Sequence, residues 1–593
     1  MVWHCSPVSV PLHYCYSAAS TTSIARTACE RFFGILRALT LHSSSSNAGT
    51  FMEVARSVLK QESVAGDNIA ISAGGKNYTY KELVSFAGKI SSLLNNHGIK
   101  ESNHDRSNES IAGARVGILA TPSVDFVASV LATWFSGGVV VPLAISYPET
   151  ELLHVMNDSE ISFVLSSEDY GELMQRISSK CGSCFLTTPS ISSVLQQDDL
   201  GLEVLDERSK DENPALIVYT SGTTGRPKGV VHTHGGIHSQ VRMLSESWGY
   251  TSADRFLHCL PLHHVHGLFN TLLAPLFSGS TVEFMDKFSV TKIWQRWREC
   301  YSMNSKAENP ITVLTGVPTM YTRLIQGYDA MDSELQAASA YAARQLRLMM
   351  CGSSALPIPV LERWEAITGH RLLERYGMTE FVMALSNPLS GNRKAGTVGL
   401  PFPGIQVKLI KDDNEIETKE VGELCLKSPS MFKEYWKLPQ VTKQSFTSDG
   451  FFKTGDACRK DEDGYYVILG RLSADILKVG GFKLSALEIE SVILEHPSVS
   501  ECCILGLPDE DYGDAVCAII VPQVLHDEKK VESKAVITLE ELRNWANEKL
   551  ALYKLPTQLL LWDSLPRNAM GKVNKKELKK LLVHQHQNNQ QPA

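Results

Sequence analysis

The sequence predicts an α/β protein, with a large multi-layered α/β domain at residues 52–470 and a smaller α+β domain at 471–583. Three observations carry this expectation. Short apolar runs (VGIL from Val116, LIVYT from Leu216, ITVLTG from Ile311, LRLMMCG from Leu346) read as strands buried on both faces, with helical patterns between them. That alternation places helices over a covered sheet. The chain has 593 residues, more than a single hydrophobic core fills. After Gly470 the texture changes to short strands and a Lys-rich tail.

Each segment can be justified in order. Residues 1–51 carry Arg26, Arg31 and Arg37, one acid (Glu30), nine serines and no lysine. An Arg-rich, Ser-rich, acid-poor stretch fits a transit peptide. A disordered leader, with Met52 as a second start, is the alternative. The expected location is mitochondrial, cytosolic or both, ahead of the plastid. ESNHDRSNES from Glu101 reads as a surface loop. The charge-free run Phe126–Pro148 is interrupted by Gly137, Gly138 and Pro142, so it reads as a buried helix, FVASVLATWF, a turn and a buried strand, VVVPLAI, not a membrane span. Residues 584–593 read as a disordered tail.

Composition narrows the function. Hydrophobic residues at 43% and charged residues at 21% fit an ordinary globular chain. A net charge of −8 argues against a nucleic-acid partner, which needs a basic face. Thirteen cysteines are too sparse and too odd in number for a disulfide scaffold, so reduced thiols are expected. Cys181 and Cys184 form a lone CxxC without the second pair that a zinc site needs.

The strongest local signal is TSGTTGRPKG, Thr220 to Gly229, entered directly from a buried strand. Thr220, Ser221, Thr223 and Thr224 supply hydroxyls. Gly222 and Gly225 allow the backbone to approach closely, so amides and hydroxyls can cradle phosphate. Lys228 adds a mobile cation. The loop is not a Walker A motif, because Gly229 follows the lysine.

Three further segments follow in order: ERYGMTE at Glu374–Glu380, TGDACRKDEDGYYVILGR at Thr454–Arg471 and PRNAMGKVNKKEL at Pro566–Leu578. With TSGTTGRPKG they resemble the ordered signatures of the adenylate-forming superfamily of acyl-CoA synthetases, luciferases and peptide-synthetase adenylation domains. The resemblance spans about Met52 to Leu582. It implies that ATP activates a carboxylate as an acyl-adenylate, with CoA as the acceptor. It places Ser354, Glu374, Tyr376, Gly377, Met378, Thr379, Asp456 and Arg471 with the phosphate loop around the nucleotide. Tyr376 would stack on adenine, and Asp456 would accept from the ribose. Glu380 would hold Mg²⁺, an ion that favours a carboxylate beside substrate phosphates. Lys572 would meet charge developing during adenylation. The small domain would be mobile, turning to bring Lys478, Gly480 and Gly481 to a CoA site. Its pivot falls at Ser473, where the family usually has Asp or Lys.

The acyl-binding segments are PLHHVHGLFN from Pro261, GVPTMYTR ending at Arg323 and CGSSALP from Cys351. They closely resemble those of malonyl-CoA synthetases. The likeness implies that Arg323 and Ser353 bind a second carboxylate, that His264 gates the pocket and that Met383 caps it. An arginine fork suits a carboxylate. The expected substrates are malonate, ATP and CoA. Ligation of methylmalonate or another short- or medium-chain acid to CoA, or an inactive adenylate-binding scaffold role, are the alternatives, and a monomer is compatible with the sequence.

Overall fold

The apolar runs become strands Arg115–Leu119, Pro214–Tyr219, Val313–Gly316 and Leu348–Cys351. The computed structural model describes residues 57–589, apart from 59, 62–66, 99–110, 190, 192–210, 221–226, 302–308, 413, 417–419, 510, 526–532, 535–536 and 568–571. The leader, the loop from Glu101, and Ser221, Gly222, Thr223, Thr224 and Gly225 lie outside the described residues.

A nine-stranded sheet has at its centre Leu373–Tyr376, Leu348–Cys351, Val313–Gly316, Arg255–His258, Thr281–Phe284 and Ile69–Ala73, all parallel. A seven-stranded sheet contains Pro214–Tyr219 next to Val139–Pro142 and Gly229–Thr233. Helix Val124–Phe135 is almost wholly buried, and Gly137 turns the chain at φ 72°. The strand that follows is shorter than expected. It stops at Pro142, although Leu143 N still donates to Ile118 O at 2.9 Å. No described helix is long and apolar enough to cross a membrane.

A five-stranded antiparallel sheet ends in Phe452–Lys460 and Tyr466–Arg471, with Asp456 opposite Arg471. The smaller C-terminal part is α+β: strands Ile476–Val479, Phe482–Ser485, Val499–Asp509, Gly513–Pro522 and Gln558–Leu561, with helices Ala486–Ile493, Leu539–Ala546 and Lys575–Asn589. At the boundary expected near Gly470–Ser473, strand Tyr466–Arg471 runs up to the small part and Leu472 N donates to Gly455 O at 2.9 Å. The last helix runs to Asn589, into the stretch expected to be disordered; LLVHQHQNN contains neither Gly nor Pro to stop it.

Candidate active site

Parallel strands release their following segments at one edge, where α/β sheets bind ligands. Gly316, Cys351 and Tyr376 end three neighbouring strands. Helix Pro318–Asp329 with Arg323, the turn Gly352–Ser354 and the segment Gly377–Glu380 therefore emerge together. Thr220 leaves the end of strand Pro214–Tyr219 in the second sheet.

Among the residues expected at the nucleotide, Tyr376 donates to Asp456 Oδ2 at 2.5 Å, and Arg471 Nε lies 3.0 Å from Asp456 Oδ1. Arg471 Nη1 donates to Thr454 O at 2.8 Å. Burial pushes the Asp456 carboxyl up, against the pull of Arg471, and pushes the Tyr376 phenol well up. Gly377 is required by close approach: a Cβ there would meet Val382 O at 1.8 Å and the Met383 methyl at 2.8 Å. Met383 is thus packed over Gly377. Ser354 is exposed, whereas Glu374 is buried and accepts from Leu356 N at 3.1 Å. Burial raises the Glu374 carboxyl to about 8.

Tyr435 joins the residues expected at the phosphates. Its hydroxyl donates to Glu380 Oε1 at 2.6 Å, and Lys228 Nζ lies 4.5 Å from its ring centroid. Lys228 N donates to Thr220 Oγ1 at 3.4 Å, closing the base of the loop. His232 is buried and neutral, its pKa lowered to about 4, and its Nε2 bonds Thr379 O at 2.9 Å. It therefore acts on Thr379 through the backbone. Among the described residues, no group of three or more His, Cys, Asp or Glu side chains could hold a metal. Glu380, next to Thr379 in the chain, offers a carboxylate oxygen of the kind that Mg²⁺ takes beside phosphates.

The segments expected to bind the acid carry polar side chains that bond to one another and to their neighbours. His266 Nδ1 lies 3.0 Å from Ser353 Oγ and its Nε2 lies 2.8 Å from Thr315 Oγ1. Arg375 Nη2 contacts His266 Nε2 and donates to Thr315 Oγ1 at 3.0 Å. Gly352 makes room, since a Cβ there would sit 2.2 Å from Arg375 Nη1. Ser353 adopts φ 71°, an uncommon backbone for a non-glycine residue. His264 is buried, its ring 4.4 Å from that of His263, and burial, His263 and Lys572 hold its pKa well down. Arg323 is exposed, with its guanidinium 5.2 Å from the Phe288 ring centroid. It does not sit in the dry environment that its carboxylate-binding role suggested.

Lys572 presents surface to solvent, yet protein crowds its amine enough that burial lowers the pKa; Arg471 adds repulsion and Asp456 opposes it. Its charge also depresses His264 and His266, so this C-terminal lysine lies near residues expected at both the nucleotide and the acid. Lys478, Gly480 and Gly481 lie in a hairpin that bonds within the small part: Lys478 N donates to Asp514 Oδ2 at 2.9 Å and Gly480 N to Tyr512 O at 2.8 Å. Sequence reasoning missed Tyr435, Thr315, His266 and Arg375 as site members. Only the last two left a signal, inside HVHG and ERYGMTE.

Residues 59–436 match the AMP-binding enzyme family, and residues 488–572 match the AMP-binding enzyme C-terminal domain. The chain belongs to the AMP-binding enzyme family. It is 62% identical to a malonate–CoA ligase of Arabidopsis thaliana, over 92% of this chain and 91% of that one. It is 39% identical to the mitochondrial malonate–CoA ligase ACSF3 of Homo sapiens, over 86% and 90%. The crystal structure of ATP-bound MatB from Rhodopseudomonas palustris superposes with a TM-score of 0.77 at 32% identity, covering 91% of this chain and 99% of that one.

Proposed function

We propose that the chain is an ATP-dependent acid–thiol ligase that joins malonate to CoA. One carboxylate oxygen of malonate attacks the α-phosphorus of ATP, and the bond to pyrophosphate breaks. The CoA thiolate then attacks the acyl carbon of malonyl-adenylate, and AMP leaves. The observation that carries this reading is the polar acyl side: Arg375, Thr315, His266 and Ser353 form one bonded set where an apolar acid would need an apolar lining. The Arabidopsis relative, named a malonate–CoA ligase, supports it.

In this reading Tyr376, Asp456 and Arg471 hold the nucleoside, with Met378 and Ser354 beside it. Thr220, Lys228 and Thr379 meet the phosphates. Glu380 would hold Mg²⁺, which when bound neutralises charge on the departing pyrophosphate. Lys572 meets the negative charge between carboxylate and α-phosphate, where a preorganised cation acts most strongly. Arg323 and Ser353 address the second carboxylate, with His264 and Met383 bounding the pocket. Lys478, Gly480 and Gly481 serve thioester formation after the small part turns about Ser473. Residues 1–51 direct import; the human relative is named mitochondrial.

A coupled CoA-ligase assay over malonate, methylmalonate, butyrate and octanoate tests the substrate. Malonate should give the highest kcat/KM, and preference for octanoate would overturn the assignment. A tagged full-length chain found wholly in the cytosol would overturn the import role.

A further inference from the structure

The bonded set on the acyl side has a direction. His266 opens the wide helical turn His266–Leu273, and its two ring nitrogens face different partners. Nε2 meets Arg375 Nη2 and Thr315 Oγ1, while Nδ1 meets Ser353 Oγ at 3.0 Å. A guanidinium nitrogen can only donate, so Nε2 carries no proton. The ring is neutral, because burial and the Arg375 charge hold its pKa well below the ordinary value. A neutral imidazole keeps one proton, and here it must sit on Nδ1. Nδ1–H therefore donates to Ser353 Oγ, and the Ser353 hydroxyl hydrogen is left to point elsewhere. Ser353 is half-buried, and Ser354 beyond it is exposed, so that hydrogen has an open side. Behind the relay, Arg375 is buried; its Nε and Nη1 have no hydrogen-bond partner and, among the described residues, no carboxylate pairs with it. A buried cation without a counter-charge favours an anion nearby.

We propose that Arg375, Thr315 and His266 are positioning residues that fix Ser353 as a hydrogen-bond donor, so that the site selects an anionic acceptor, the non-reacting carboxylate of a dicarboxylic acid. This rests on the reading that Ser353 faces the acid. The relay distinguishes acids by charge, since an alkyl end offers Ser353 no acceptor and leaves the cation uncompensated.

The test is a double-mutant cycle in the full-length chain, Ser353→Ala and His266→Leu, read as kcat/KM for malonate and for butyrate, with KM for ATP as a control. Each single variant should lower malonate kcat/KM by about ten- to a hundredfold and shrink the malonate-to-butyrate ratio, and the double variant should be no worse than the poorer single, because both remove one interaction. Thr315→Val, which keeps the shape and removes the hydroxyl, should shift the same ratio in the same direction if His266→Leu fails to fold. Losses that multiply in the double variant, or malonate and butyrate falling together, overturn the relay alone. An unchanged malonate kcat/KM in Ser353→Ala overturns both the relay and the reading that Ser353 faces the acid.

Discussion

Glu374 and Arg375 are adjacent on strand Leu373–Tyr376, so their side chains leave opposite faces. Each is buried, and each has a chemical consequence. With its pKa raised to about 8 from 4.5, Glu374 binds the same proton folded and unfolded below pH 4.5. Between 4.5 and 8 the unfolded chain ionises first, so stability falls as pH rises, by at most about 1.4 kcal/mol per unit. Glu374→Gln keeps an acceptor for Leu356 N and removes the proton, so its Tm should fall less across that window than the wild-type Tm does. Equal slopes in a pH series of thermal melts would refute the assignment. Arg323 calls for a different magnitude. Because its side chain is exposed, the cost of removing it is that of a hydrogen bond to a charged group, about 1.5–3 kcal/mol, below that of breaking a buried pair. Arg323→Ala should therefore lower malonate kcat/KM by about ten- to a hundredfold while leaving KM for ATP unchanged, measured by steady-state kinetics.

At the scale of elements, the small part is pinned to the strand that precedes it. Lys575 Nζ, at the start of helix Lys575–Asn589, lies 2.7 Å from both Asp475 Oδ1 and Glu490 Oε1. Asp475 in turn accepts from Arg471 N at 2.9 Å. One lysine thus ties the last helix, helix Ala486–Ile493 and the turn after strand Tyr466–Arg471. The sequence showed Lys575 only as one member of a charge run, and a charge run is ordinarily a solvated face. Its burial comes from packing, which no local pattern encodes. Lys575→Met leaves two buried acids without their cation and should cost about 3–5 kcal/mol, with partial rescue by Lys575→Arg. Urea unfolding of the full chain measures it; a loss under about 1 kcal/mol would mean that the acids find other partners.

At the scale of the whole molecule, the proposed adenylation requires a residue from the C-terminal part to lie close to residues of the large part. Lys572 does so in this structure, acting on Asp456, Arg471, His264 and His266. Lys572→Ala should abolish most ATP–pyrophosphate exchange yet retain thioester formation from supplied malonyl-adenylate and CoA; equal loss of both half-reactions would contradict this division of labour. The sequence by itself determined the contiguous devices. The TSGTTGRPKG, YGMTE, TGD and GK motifs are legible because their residues are adjacent in the chain, and buried parallel strands announce themselves as unbroken apolar runs. Only the tertiary structure decided which residues meet across distance. It placed Tyr435 between Lys228 and Glu380, and His266 between Thr315, Arg375 and Ser353. It also showed that Arg323 lies in the open and Lys575 does not. Burial and pairing are properties of the packed sheet edge, where segments a hundred residues apart converge, and a single chain position carries no record of its neighbours there.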